Sequence, residues 1–226
     1  MDSIDNTSLR PEFTSELSHQ LLAGASLNMI SPHGQGRRRT LQDLQHQLPA
    51  SLQIIHMNIR SYVSDYTGFF NHACAQSNIA TAPPENLAEL LDHIESGSKQ
   101  QLFILHNFDE LRPPDHIDAD IDTQYDAHFF HAINSIKQRT HIALLCVSEC
   151  EYHHYRLQAD GSECLYASIN AEAIILPALN SQQVLAELSR RDISQHKQTL
   201  QTLSTRLSKQ AAPYAALEQL FPIQID

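Results

Sequence analysis

Apolar residues fall into two alternating rhythms along the chain. Nearly continuous apolar runs stand at residues 27–30, 52–59, 101–105, 141–147 and 173–176. Each is four to eight residues long and reads as a strand buried on both faces. Between them, apolar positions recur three and four residues apart. Phe13, Leu17, Leu21 and Leu22 mark a helix over 11–23 that Gly24 stops, and Leu41, Leu44 and Leu48 mark one that Pro49 ends. Further helical stretches are predicted at 63–77, 85–95 and 127–137, and after Pro177 at 181–191, 194–208 and 214–220. Strands alternating with helices predict an α/β domain with a parallel five-stranded sheet between helical layers. Residues 1–8 are polar and read as a flexible N-terminus, 9–178 as the α/β core, and 179–226 as a C-terminal helical segment.

A chain of 226 residues with 42% hydrophobic and 18% charged residues has enough material for a full core. The formal charge of −11 argues against general binding of nucleic acid or anionic membranes. The first residues, Met1-Asp2-Ser3-Ile4-Asp5, show neither a basic nor an apolar leader region, and no run approaches the ~20 apolar residues of a membrane span. Four cysteines without a framework spacing fit reduced thiols in the cytoplasm.

The sharpest local feature follows the first strand: Ser31-Pro32-His33-Gly34-Gln35-Gly36-Arg37-Arg38-Arg39-Thr40. Strand, glycine turn and helix start form the layout of a phosphate-binding loop, G-x-x-x-x-G-K-[ST]. Gly36 is kept. Ser31 stands at the first glycine, Arg37 at the lysine and Arg38 at the hydroxyl that would hold Mg²⁺. His33, Gly34, Gln35, Gly36, Arg37 and Arg38 are therefore the candidate nucleotide- or anion-binding residues. Cations at a helix N-terminus are locally unfavourable, which favours an anion there. The alternative is a basic patch that contacts a protein partner or the chain's own acidic residues.

The order of the pieces resembles the P-loop ATPases of the AAA+/STAND group over most of the chain. Arg10-Pro11-Glu12-Phe13 is similar to their opening segment, and residues 31–40 to their Walker A loop. Leu102-Phe103-Ile104-Leu105-His106-Asn107-Phe108-Asp109-Glu110-Leu111 resembles their Walker B strand, and 141–148 occupies the place of their sensor-1 strand. Ile174-Ile175-Leu176-Pro177-Ala178-Leu179-Asn180 and Ala212-Pro213-Tyr214 resemble the approaches to the last core helix and to a lid helix. The resemblance implies a P-loop NTPase-like fold with a small helical lid remnant. It also implies an Mg²⁺-binding acid and a catalytic Glu where this chain has His106 and Asn107. A neutral imidazole is a poor ligand for Mg²⁺, which takes hard oxygen ligands. Asp109 and Glu110 survive past the strand end as a structural tail.

Four departures in two motifs predict lost hydrolysis, no catalytic residues, and at most ATP or ADP bound without Mg²⁺. The implied role is that of a protein-interaction subunit in a larger assembly, with no membrane and with nucleic acid disfavoured. Two other classes stay open: an atypical active ATPase, and a nucleic-acid-associated subunit of an ORC-like or transposition-like machine. An acidic stretch (Asp109, Glu110, Asp115, Asp118, Asp120, Asp122 and Asp126, with His116, His128 and His131) lacks the glycine and late Glu of a calcium loop and reads as solvated. Cys150, His153, His154 and Cys164, with Cys146 nearby, carry zinc-type ligands at no standard spacing, so ordinary thiols are preferred and no metal is assigned. Leu200, Leu203, Leu207, Leu217 and Leu220 suit either a partner surface or a core.

Overall fold

The apolar runs become strands of one sheet. The computed structural model describes residues 8–78, 83–111, 125–151, 155–156, 166–191, 193 and 197–222. In chain order the elements are α1 (Pro11–Leu22), β1 (Ser26–Ile30), α2 (Arg37–Gln47), β2 (Gln53–Asn58), α3 (Tyr66–Ser77), α4 (Leu87–Ser96), β3 (Gln101–His106), α5 (Ala127–Ser135) and β4 (Ile142–Ser148). They continue as β5 (Tyr155–Arg156), β6 (Tyr166–Ala167), β7 (Glu172–Ile175), α6 (Ser181–Arg190), α7 (Lys197–Leu207) and α8 (Pro213–Leu220). The five-stranded sheet has the order β2-β3-β4-β1-β7, and β5 pairs with β6 in a separate antiparallel ladder. Leu27 lies opposite Leu145 in the parallel β1–β4 pair, Phe103 opposite Leu144 in β3–β4, and Ile55 opposite Phe103 in β2–β3. This is the α/β fold that the alternation of runs predicts, in the P-loop NTPase-like form that the resemblance implies.

Helix starts are set by short polar side chains. Asp65, Asn86, Asp126 and Asn180 each accept the backbone N–H three residues on, at 2.7, 3.0, 3.0 and 2.9 Å, which satisfies one of the free amides of a first turn. Asp65 explains why α3 starts at Tyr66 instead of residue 63. The Asn180 cap is reciprocal, because Gln183 Oε1 accepts from the Asn180 N–H at 2.9 Å.

The chain divides into two compact units. The sheet unit, His19–Ile30 with Pro49–Ile174, carries the larger core. On one face Ile55, Met57, Phe103, Leu105, Leu144 and Cys146 pack with Phe69, Leu90, Leu91, Ile94, Phe129 and Ile133 of α3, α4 and α5. Aromatic edges reinforce it, with Tyr125 and Phe129 at 4.7 Å and Phe69 and Phe129 at 5.7 Å between ring centroids. The opposite-face residues Leu102, Ile104, Ala143 and Leu145 are also buried, so the central strands are covered on both sides. β7 departs from the two-sided burial expected of every run. It is an edge strand, and Ile175 is 75% exposed; β2, at the other edge, departs too, burying Ile55 and Met57 while His56 and Asn58 are exposed. Sequence pattern also gave no sign of the two-residue strands β5 and β6.

The loop unit comprises Met1–Ser18, Ser31–Leu48 and Ile175–Asp226. Its core joins Leu9, Leu179, Val184, Leu188, Leu207, Tyr214 and Leu217, with Leu200 and Leu203 packed against it. Core packing therefore accounts for four of the five leucines singled out in the C-terminal helices, whereas Leu220 is 56% exposed. Phe103→Ala is expected to cost about 3–5 kcal/mol in denaturant unfolding, and Leu220→Ala less than about 0.5 kcal/mol. Equal losses in the two variants would contradict this division of core from surface.

Candidate functional site

In the loop unit, the glycine turn is built by backbone conformation that its glycines make accessible. Gly34 and Gly36 have φ of +78° and +80°, in the left-handed region. Gly36 caps α2 without any side-chain bond. The Gly34 carbonyl accepts from the N–H groups of Tyr214 and Ala215, both at 3.1 Å, at the start of α8. Gln35 Nε2 donates to the Ala211 carbonyl at 2.7 Å. Ser31, at the first position of the loop, is fully buried and its Oγ has no hydrogen-bond partner among the described residues.

A buried guanidinium grips this loop from the other side. Arg10 is 1% exposed. It donates through Nε to the Pro177 carbonyl at 2.8 Å, through Nη1 to Thr40 Oγ1 at 2.9 Å and through Nη2 to the Gln35 carbonyl at 2.6 Å. Burial pushes its pKa down to about 10, against the raising effect of Asp43, so it is charged at neutral pH. Asp43 in turn accepts from the Leu9 N–H at 2.7 Å and pairs with Arg39 at 2.8 Å.

The arginine run is thus divided. Arg38 is exposed and Arg37 half-buried, while Arg39 is buried and turned back on Asp43, with Glu187 Oε2 4.0 Å from its Nε. Glu187 also holds Arg190 at 2.6 and 2.8 Å and Arg191 at 3.1 Å. Burial alone would raise the Glu187 pKa, but the bonds and charges of Arg190 and Arg191 outweigh it and hold the group below its ordinary value. Four guanidinium groups (Arg10, Arg39, Arg190 and Arg191) face two buried carboxylates, Asp43 and Glu187. His33 is exposed, beside Gly34 in the chain.

In the sheet unit, the candidate Walker B residues cluster at the carboxyl end of β3. His106 is half-buried, its ring 6.3 Å from that of His56 in an edge-on arrangement. Burial lowers the His56 pKa. Asn107 adopts φ +56°, a left-handed conformation that Asn tolerates better than most non-glycine residues, and its Nδ2 donates to Asn58 Oδ1 at 2.8 Å. Asp109 is buried and accepts the Glu149 N–H at 3.1 Å, which ties the turn to the chain leaving β4. Glu110 accepts from Arg60 Nε at 2.8 Å. Ser148, last in the strand matched to sensor 1, donates from Oγ to Asn28 Oδ1 at 3.1 Å.

Residues 112–124, with Asp115, His116, Asp118, Asp120 and Asp122, lie outside the described residues, as do His153, His154 and Cys164. Asp126 caps α5, and His128 Nδ1 lies 2.9 Å from its carboxylate. Cys74, Cys146 and Cys150 are free thiols, and no metal-binding type of cluster occurs among the described residues. No described helix is long and apolar enough to cross a membrane. Sequence reasoning missed Asp43 and Glu187. The available signal was a carboxylate set among the apolar positions of α2 and α6, in each case four residues from an arginine.

No protein-family model matches the chain, and a search of curated proteins gave no match. Solved structures do match. The Cdc6p protein of Pyrobaculum aerophilum aligns at 14% identity with a TM-score of 0.54, over 93% of this chain and 62% of that one. The ORC1 protein of Aeropyrum pernix, solved in complex with DNA, aligns at 12% identity and a TM-score of 0.58, over 97% and 60%. The Aeropyrum pernix ORC2 protein, solved as ADPNP and ADP complexes, aligns at 14% identity and 0.56, over 88% and 57%. The chain spans about 60% of the length of these structures. It shares with them a P-loop NTPase-like α/β fold.

Because the Glu187 pKa is depressed in the folded state, its stabilisation is present above the unfolded value of about 4.3 and is lost as pH falls through the folded one. Melting temperature followed from pH 7 down to about 3 should show a steeper acid decline in the wild type than in Glu187→Gln. The variant should also be less stable at pH 7, because its arginines are left uncompensated. Parallel acid declines would remove Glu187 from this role.

Proposed function

We propose that the chain is an AAA+-like P-loop module that does not hydrolyse ATP and acts as a protein-interaction subunit of a larger cytoplasmic assembly. A nucleotide or other anion held without Mg²⁺ at His33–Arg38 is compatible with this role. The observation that carries the reading is the commitment of both surviving acids: Asp109 holds the Glu149 amide and Glu110 holds Arg60. His106 and Asn107 precede them, and neither is a hard anionic ligand for Mg²⁺. On the loop, Arg37 is a planar fork and not the compact ammonium of a P-loop lysine. The helix N-terminus at Arg37, with the Gly34 and Gly36 turn before it, supports an anion there.

Phosphate release from Mg²⁺-ATP is expected to match the protein-free control. Magnesium-dependent turnover that disappears in Asp109→Asn would overturn the reading and favour the atypical ATPase. That variant retains an oxygen to accept the Glu149 amide, so loss of turnover would not simply report misfolding.

A second reading, a nucleic-acid-associated subunit, gains from the distribution of charge. The loop unit carries nine Lys and Arg against nine Asp and Glu, and the sheet unit six against seventeen. The whole net charge of −11 therefore lies in the sheet unit, and the acidity of the chain does not argue against nucleic acid at the loop unit. The DNA complex of the fold neighbour points the same way. If this reading holds, duplex DNA binding falls steeply with salt and weakens in Arg37→Ala/Arg38→Ala. Binding absent at low salt would exclude it. Arg39 is left out of the test because its charge is engaged with Asp43.

A further inference from the structure

Direct protein contacts tie the loop to the first turn of α8. Ala212, which precedes α8, provides no side-chain cap, so the helix depends on other acceptors for its first amides. The Gly34 carbonyl serves both Tyr214 and Ala215 at 3.1 Å. Gln35 Nε2 adds its bond to the Ala211 carbonyl at 2.7 Å. The surfaces are also in steric contact. A Cβ on Gly34 would come within 2.6 Å of Ala212 Cβ, and one on Gly36 within 2.8 Å of the Tyr214 ring.

Both partners are held from behind. Arg10 fixes the Gln35 carbonyl at 2.6 Å. Arg191 places its guanidinium 5.4 Å from the centroid of the Tyr214 ring and donates to the Phe221 carbonyl at 2.5 Å, so one side chain touches both ends of α8.

We propose that these contacts form a ligand-independent clasp that keeps α8 closed on the loop, making the loop unit a fixed platform instead of a nucleotide-driven switch. This goes beyond the absence of hydrolysis, because a module that only binds nucleotide could still open and close with it. A ligand shifts a conformational equilibrium only by its differential affinity for the two states. With loop and helix already joined by backbone bonds, closure needs no phosphate to bridge them.

Amide hydrogen exchange of Tyr214 and Ala215 in the full chain tests the clasp. Both amides are expected to be protected without ligand, and to change by less than about twofold on adding Mg²⁺-ATP, ADP or inorganic phosphate. Gly34→Ala, which forces a methyl group into Ala212, should speed their exchange at least about tenfold while the β3 and β4 amides stay protected. If that variant fails to fold, Gln35→Ala decides. It removes only the bond to Ala211 and should raise exchange at the start of α8 by about two- to fivefold. Free exchange without ligand that becomes slow with ATP would overturn the proposal, as would unchanged exchange in Gln35→Ala. Because the readout is exchange and not phosphate release, it can fail while the absence of hydrolysis stands.

Discussion

The buried Arg10 guanidinium sets the geometry of the loop unit. Its three bonds reach the loop at Gln35, α2 at Thr40 and the segment after β7 at Pro177, which are remote in sequence and meet at one side chain. All three acceptors are neutral, so the compensation for its desolvation comes from hydrogen bonds, with Asp43 contributing through its field. A shorter side chain could not reach two carbonyls and a hydroxyl from three separate parts of the chain. The loop shape, the position of Thr40 and the path of the chain into α6 therefore share one constraint.

Around it, the polar interior is organised as a chain of partial compensations. Asp43 holds Leu9 and Arg39, and Glu187 holds Arg190 and Arg191. Arg191 continues to Tyr214 and Phe221, and Tyr214 packs on Gly36. A path of contacts thus leads from the loop through the C-terminal helices and back. Such an arrangement favours one closed geometry, because breaking any link leaves a buried charge or amide without its partner.

The fold was legible because it rests on periodicity. The runs that became β1, β2, β3, β4 and β7 carried their signal in consecutive apolar residues and the helices in apolar spacing, which placed the start of α3 at 63 and passed over the Asp65 cap. The antiparallel pairing of β5 and β6 was not legible, since two-residue strands have no periodicity to read. The loop was visible as glycine spacing, but its bonding was not. Whether Arg37, Arg38 and Arg39 faced solvent, ligand or carboxylate depended on Asp43 and Glu187, which arrive from α2 and α6. Asn107 shows the same limit. Read as a missing acid, it is also the residue that takes the left-handed turn after β3 and bonds Asn58. A sequence displays which residue replaces a consensus group more readily than what the replacement does for the backbone.

On the proposed function, the loop is organised by the protein's own groups and supports no magnesium-dependent chemistry. A crystal structure grown with a nonhydrolysable ATP analogue and Mg²⁺ tests it most directly. The expected result is the Gly34 carbonyl still bonded to Tyr214 and Ala215, Arg10 still on Gln35, and no Mg²⁺ coordinated by the chain. A Mg²⁺ ion held by Asp109 or Glu110, with α8 parted from the loop around the phosphates, would contradict it.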